Sequence, residues 1–221
     1  MMAATKKKRS FVALVSQFAN LKRAFPRHSC MRKQFYPDDI RNCFRRLRSK
    51  TGPTMGANKL AGLVAKINQS GLPTSVREGA LTLAFNSQVK MAGLAGIHIE
   101  SLSESQSVLT LKNRFRVQNH IGSVHACGMA LLAESASGVV FGMNVKDTHL
   151  PLLKSMSINY VKRAQGDLRA VATLTPTQRE ALERDDKGNV VVDVVLTDAK
   201  GERPVEVQMT WAWTPKRPKA P

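Results

Sequence analysis

The chain has 221 residues and carries 34 Lys and Arg against 16 Asp and Glu, a net charge of +18. This length predicts one domain of about 150 residues with extra elements. Its three cysteines form no Cys-x-x-Cys pair, which argues against a disulfide framework and a zinc site and favours a reducing compartment. No run of about 18 apolar residues occurs, so no membrane span is expected.

The positive charge is concentrated in the N-terminal third of the chain. Residues 1–70 hold 16 Lys and Arg against two acids, whereas residues 71–221 hold 18 against 14. Residues 1–35 contain nine basic residues, no acid, and apolar residues at helical spacing. This composition is typical of a mitochondrial transit peptide, so we predict a mitochondrial matrix protein. A nuclear-localisation run at residues 6–9 and a solvated tail are the alternatives.

Residues 36–75 are predicted to form a basic helical extension. A first helix begins near Pro37, with two aspartates in its first turn, and a second helix runs over residues 57–69. These helices could cover a sheet or bind an acidic partner. RNA contact through residues 36–70 is therefore one possible role, and a solvated basic face is the alternative.

Residues 76–118 lead into the predicted sheet. Residues 76–92 fit both periodicities in part and are interpreted as a helix or irregular lid, residues 94–102 as a strand, and residues 107–118 as a second strand. The second strand is predicted to place Leu109, Leu111, Phe115 and Val117 on one face and Lys112, Arg114 and Arg116 on the other. The basic row has the charge to bind coenzyme A phosphates, although a solvated outer face is the alternative.

A long helix is predicted from residue 124 to 138, with Ser123 as its N-cap and Gly138 at its end. Three polar side chains on or before it could perform chemistry: Asn119, His125 and Glu134. At about 1.5 Å and about 100° per residue, His125 and Glu134 lie roughly 13.5 Å apart on opposite faces of the helix. One copy of the helix therefore cannot bring them together.

Two antiparallel copies of the helix related by a two-fold axis could form a composite site. The free N–H groups at the start of the helix, with the Asn119 amide, would bind a carbonyl oxygen and stabilise an oxyanion. Glu134 of the partner subunit would supply a base or nucleophile. This is the outline of a thioester hydrolysis site. Taken singly, the three residues could instead be a turn residue, a satisfied polar group and a solvated acid.

The spacing of Asn119, His125 and Glu134 resembles the active-site helix of hotdog-fold acyl-CoA thioesterases, N-x-x-G-x-x-H-G-G followed by an acid nine residues after the His. The family's His-Gly-Gly reads His125-Ala126-Cys127 here. From residue 94 to the C-terminal tryptophans, about 130 residues resemble a hotdog branch related to the phenylacetate-pathway thioesterases. The resemblance implies that Asn119 and the Ala126 N–H bind the thioester carbonyl oxygen as an oxyanion hole, and that His125 supports this oxyanion hole. It also implies that Glu134 of the partner subunit activates water or attacks directly.

Strand patterns are predicted to follow the helix at residues 139–145, 155–161 and 168–174, and in a hairpin of residues 190–197 and 205–213. Residues 175–187 are interpreted as a short helix or loop. The order of these elements is that of an α+β hotdog fold, a curved antiparallel sheet wrapped around a central helix, with extra N-terminal helices. The predicted segments are a targeting segment at 1–35, the basic extension at 36–75 and a hotdog domain at 76–221.

Two functions remain open from the sequence. The first is a homodimeric, possibly tetrameric, protein of the acyl-CoA thioesterase type that hydrolyses or binds an acyl thioester, without a metal or cofactor beyond the coenzyme A of its substrate. The second is a catalytically silent hotdog subunit or assembly factor of a mitochondrial RNA–protein particle such as the mitoribosome, because part of the basic charge lies beyond any targeting peptide. RNA binding of this kind weakens steeply with salt.

Overall fold

The computed structural model describes residues 58–217 of the chain. The predicted targeting segment at 1–35 and the predicted helix after Pro37 lie outside these residues. The described part contains three N-terminal helices, a six-stranded sheet, a long central helix and one short helix. It therefore has the α+β composition that the sequence predicts.

The three N-terminal helices are α1 (Lys59–Asn68), α2 (Thr74–Gln88) and α3 (Lys90–Ala95). The first confirms the helix predicted over residues 57–69, and the second decides the ambiguous stretch in favour of a helix. Asn58 begins α1, because its side-chain oxygen accepts the Ala61 N–H at 3.0 Å. Its amide nitrogen also donates to two carbonyls at the far end of the central helix. This one side chain fastens α1 to the core.

The sheet contains six strands in the order β1-β2-β4-β5-β6-β3, and every neighbouring pair is antiparallel. The strands are β1 (His98–Leu102), β2 (Gln106–Leu111), β3 (His149–Tyr160), β4 (Leu168–Thr173), β5 (Gly188–Asp198) and β6 (Val205–Pro215). A short helix, α5 (Pro176–Arg184), connects β4 and β5. Because β3 pairs only with β6 within this sheet, β3 is an edge strand.

The central helix, α4, runs from Ala126 to Asn144 and is longer than the sequence predicts. It begins two residues after the predicted start, with His125 rather than Ser123 as its N-cap. It also continues through Gly138, so the strand predicted at residues 139–145 is wrong. That run is almost entirely apolar because Val139, Val140, Phe141, Met143 and Val145 are all buried in the core. Periodicity cannot distinguish such a helix from a buried strand.

Gly138 marks a close packing contact rather than the end of the helix. A Cβ atom at this position would lie 2.8 Å from the Trp211 ring. The Trp211 indole N–H donates to Ser137 Oγ at 2.9 Å, and the ring stacks on Phe141 with 5.5 Å between centroids. The aromatic face of the last strand therefore packs in the core against α4.

By length and composition, α4 could cross a membrane, since its mean hydropathy reaches 1.4 over an 18-residue window. However, 61% of this window is buried inside the protein. Its apolar character is accounted for by its position in the core. The sequence prediction relied on the absence of an uninterrupted apolar run. That absence alone did not exclude a helix with the length and hydropathy of a membrane span.

The second strand is shorter than predicted and ends at Leu111. Its partner β4 begins at Leu168, which pairs with Leu111, so the ladder has no further partner. Beyond this point the chain turns locally, and residues Phe115–Val117 form a single 3-10 turn, the Phe115 turn. Phe115 was predicted to point into the core but is 93% exposed.

Candidate active site

The loop that enters α4 is closed by Asn119. The Asn119 N–H donates to the Ser123 carbonyl at 2.8 Å, and its side-chain oxygen accepts the N–H groups of Ile121 and Ser123, both at 3.1 Å. Gly122 supplies the left-handed conformation of this turn, with φ of 74°. With its oxygen occupied in this way, the Asn119 Nδ2 group donates no hydrogen bond within residues 58–217 and is available to a ligand.

His125 caps the start of α4 through its side chain. Its ring Nδ1 accepts the Cys127 N–H at 3.1 Å, which requires the ring proton to be on Nε2. The His125 backbone N–H donates to the Val117 carbonyl at 2.8 Å and fixes the entry of the chain into the helix. The Ala126 N–H is left without an acceptor among the described residues, at the positive end of the helix dipole.

Two residues that no sequence pattern indicates support this loop. Arg163 donates from Nε to Ser123 Oγ at 3.1 Å and from Nη2 to the Ile121 carbonyl at 2.8 Å. Tyr160, at the end of β3, donates its hydroxyl to the Ala126 carbonyl at 3.0 Å. Neither residue belongs to a motif, and only the tertiary fold brings the end of β3 to the start of α4.

Glu134 lies about two and a half turns further along α4 and is half-buried. Burial raises the pKa of its carboxyl above the ordinary value. Within residues 58–217 its carboxylate makes neither a hydrogen bond nor an ion pair, so no partner offsets this penalty. The structure thus brings Asn119, His125 and Ala126 together, but it does not bring Glu134 of the same chain to them.

The three basic residues proposed to bind phosphates lie beside this loop rather than on a strand, because β2 ends before them. Lys112, Arg114 and Arg116 are exposed, and none of them forms a salt bridge with another described residue. Arg116 Nη1 donates to the Leu94 carbonyl at the end of α3, at 3.3 Å. Their charges therefore remain available to an anion.

A cavity of about 230 Å³ lies elsewhere in the domain, between α1, α2 and the β1–β2 edge. Its walls include Asn68, Arg77, Glu78 and Glu100 and none of the predicted site residues. The start of α4 instead lies at the surface of the single chain, where His125 and Cys127 are exposed. The predicted chemistry requires an N-terminal donor group and a carboxylate, so we place the candidate site at α4 and not in this cavity.

Comparisons with known proteins agree with this architecture. Residues 78–213 match the family described as Domain of unknown function (DUF4442). A Pseudomonas aeruginosa protein of unknown function, described as a probable thioesterase, is 25% identical with a TM-score of 0.56. The match covers 66% of this chain and 97% of that one. A search of curated proteins gave no match.

Two further solved structures share the fold. A mutant thioesterase from Pseudomonas aeruginosa is 18% identical with a TM-score of 0.51, over 61% of this chain and 94% of that chain. A candidate thioesterase from Shewanella oneidensis is 13% identical with a TM-score of 0.54, over 62% of this chain and 97% of that chain. These likenesses and the sheet packed on α4 confirm the predicted hotdog fold. The family match and the 25% identical structure confirm the predicted thioesterase superfamily.

Proposed function

This chain belongs to the DUF4442 family, and we propose that it is an acyl-CoA thioesterase whose active site is shared between two subunits. The observation that carries the proposal is the pair of unused donors at the start of α4, the Asn119 amide and the Ala126 N–H. Two such donors beside a helix N-terminus suit the oxygen of a thioester carbonyl as it becomes an oxyanion. The structural neighbours described as thioesterases support the same reaction class.

In the proposed reaction, Glu134 of the partner subunit accepts a proton from water as the oxygen attacks the thioester carbon. Asn119 and the Ala126 N–H stabilise the resulting tetrahedral oxyanion. When the carbon–sulfur bond breaks, the coenzyme A sulfur takes the proton from the Glu134 carboxyl, leaving a carboxylic acid and free coenzyme A. The raised pKa of Glu134 makes its carboxylate a stronger base than an ordinary glutamate.

The edge strand supports the proposed dimer. β3 has twelve residues, and one side of it has no partner in the described sheet. A long unpaired edge that exposes Leu150, Leu152 and Met156 is a template for pairing with another chain. The contact from Tyr160 to Ala126 places the start of α4 next to this edge. Pairing of two β3 strands about a two-fold axis would therefore bring each helix start close to the other subunit.

Hydrolysis of short, long and aromatic acyl-CoAs by the full chain tests the proposal. We expect Glu134→Ala to lower kcat by about 10²- to 10⁴-fold, the loss of a general base. Asn119→Ala removes one oxyanion donor and should lower kcat by about 10²- to 10³-fold. Glu183→Ala is the matched control, since Glu183 is an exposed acid on α5.

Mixing the two inactive variants tests whether the site is shared. A heterodimer of Glu134→Ala and Asn119→Ala chains contains one intact site, so mixed subunits should recover up to roughly a quarter of the parent activity. Complete absence of recovery in exchanged heterodimers would contradict a shared site. Parent-like turnover by both single variants would overturn the hydrolase assignment.

The mitochondrial location and the RNA-particle alternative stay predictions. Most of the basic residues that motivate the alternative precede residue 58, outside the described part of the chain. Within it, Lys59 is paired with Asp147 at 3.4 Å, which reduces the charge that α1 offers to a phosphate backbone. No observation on the described residues favours RNA over the thioester substrate.

A further inference from the structure

Phe115 is an exposed aromatic side chain between two arginines. It is 93% exposed, although its position in the sequence pattern predicts burial beside Leu111 and Val117. Arg114 and Arg116 flank it on the Phe115 turn. An exposed aromatic ring with an arginine before and after it in the sequence has the chemistry to bind a nucleotide, because the ring can stack on the base while guanidinium groups bind phosphate.

The backbone of this turn is held in place before any ligand binds. The Val117 N–H donates to the Arg114 carbonyl at 2.9 Å, and the Gln118 N–H donates to the Phe115 carbonyl at 3.3 Å. Arg116 is further tied to the end of α3 through the Leu94 carbonyl. Little backbone order has to be gained on binding, which favours affinity.

The charge around the turn is positive. Residues 105–133 contain no Asp or Glu, and they include Lys112, Arg114 and Arg116. Asp167 lies beside this segment, and its Oδ1 accepts the Asn113 N–H at 2.8 Å. Three cations in a stretch of sequence without an acid favour the binding of a polyanion.

We infer that the Phe115 turn binds the phosphorylated adenosine of coenzyme A, with Phe115 stacked on the adenine and Arg114 and Arg116 on the phosphates. This inference rests on the proposed function. It would make the proposed active site selective for coenzyme A thioesters over thioesters of pantetheine alone. The basic row alone predicts a phosphate contact. The exposed ring adds recognition of the base.

The position of the turn fits this assignment. It is joined to the start of α4 through the Val117 carbonyl and the His125 N–H, two residues from the Phe115 side chain. In coenzyme A, the pantetheine arm separates the thioester from the nucleotide. The nucleotide must therefore be recognised outside the helix start, on a separate element, and the Phe115 turn is such an element. A single aromatic side chain suits one base better than the successive bases of an RNA strand.

Binding of coenzyme A to the full chain, measured by calorimetry, tests the inference without requiring hydrolysis. We expect Phe115→Ala to weaken coenzyme A binding by about tenfold or more, whereas Phe115→Trp should retain it. Arg114→Ala should weaken coenzyme A binding by about tenfold, and less so at high salt. Phosphopantetheine should bind equally to the parent and to Phe115→Ala. Val191→Ala and Arg203→Ala, exposed residues away from the turn, are the controls.

A spectroscopic readout separates stacking from a structural effect. Trp211 and Trp213 are buried, so the exposed indole of Phe115→Trp should respond to added coenzyme A and not to phosphopantetheine. Unchanged coenzyme A affinity in both Phe115→Ala and Arg114→Ala would overturn the inference. So would an oligoadenylate that binds more tightly than coenzyme A and depends on Phe115, because that result would assign the turn to RNA. Absence of hydrolysis alongside Phe115-dependent coenzyme A binding would sink only the catalytic proposal.

Discussion

Two carboxylates of this domain show how differently an acid can be accommodated. Asp198, the last residue of β5, is desolvated by burial, which raises its pKa. However, N–H groups of Gln165, Lys200 and Glu202 donate to it and bring the pKa below the ordinary value. Glu134 is half-buried and has no such donors among the described residues, so its pKa is raised. Asp198 thus stabilises a turn, whereas Glu134 carries a cost that a catalytic role would explain.

Removing the charge of Glu134 should therefore stabilise the fold. The folded-state pKa is raised, so the penalty is fully present above that pKa and disappears as the pH falls below the ordinary range of a glutamate. We expect Glu134→Gln to raise the Tm by about 1–3 °C at pH 7.5 and to have little effect near pH 4, measured by thermal unfolding. Glu183→Gln serves as the exposed control. A lower Tm for Glu134→Gln at pH 7.5 would contradict the assigned burial cost.

At the scale of single elements, one part of α4 could be predicted from the sequence and another part could not. The helix itself and the positions of Asn119, His125 and Glu134 could be predicted from spacing and resemblance. The last turns of α4 could not be predicted, because a continuous apolar run does not show the apolar and polar faces that identify a helix. The end of β2 could not be predicted either, because it is set by the residue at which β4 begins and not by the alternating pattern of β2 itself.

The cap of α4 was likewise not predictable, because Ser123 is the better N-cap residue by preference but is used by Arg163. Loss of the His125 cap should lower stability. We expect His125→Ala to cost about 1 kcal/mol, or about 2–4 °C in Tm, and His125→Asn to retain most of it by accepting the same N–H group. Thermal unfolding of both variants is the measurement, with His120→Ala, an exposed histidine, as the control. Equal loss in the Asn and Ala variants would show that the ring acts through packing instead.

On the scale of the whole molecule, the site follows from the order of the strands. The sheet leaves β3 at an edge, and α4 starts beside that edge, so a second chain can meet the donors on Asn119 and Ala126. Sequence alone predicted that one helix is insufficient, because spacing fixes the separation of His125 and Glu134. It could not reveal the edge, the Tyr160 contact or the exposure of Phe115, since each depends on which strands become neighbours.

The unpaired edge strand β3 leads to a prediction about how two chains assemble. Met156 lies opposite Met209 on β6, and directly opposed residues share a face of the sheet, yet Met209 is fully buried and Met156 is 46% exposed. The side chain faces the helical layer at a place that α4 of the same chain does not cover. In the proposed dimer the partner covers it, so a charge there would be buried without a counterion.

We expect Met156→Lys to convert the proposed dimer into a folded monomer and to abolish the proposed thioester hydrolysis, because each chain would then lack the Glu134 of the partner subunit. Analytical ultracentrifugation of the full chain measures the mass, and circular dichroism checks that the variant remains folded. Val191→Lys, which places the same charge on an exposed position of β5, should remain dimeric and active. A Met156→Lys protein that stays dimeric, or a parent that is monomeric and fully active, would show that β3 does not form the interface. Loss of hydrolysis together with loss of the dimer would instead tie the catalytic site to the pairing of the two sheets.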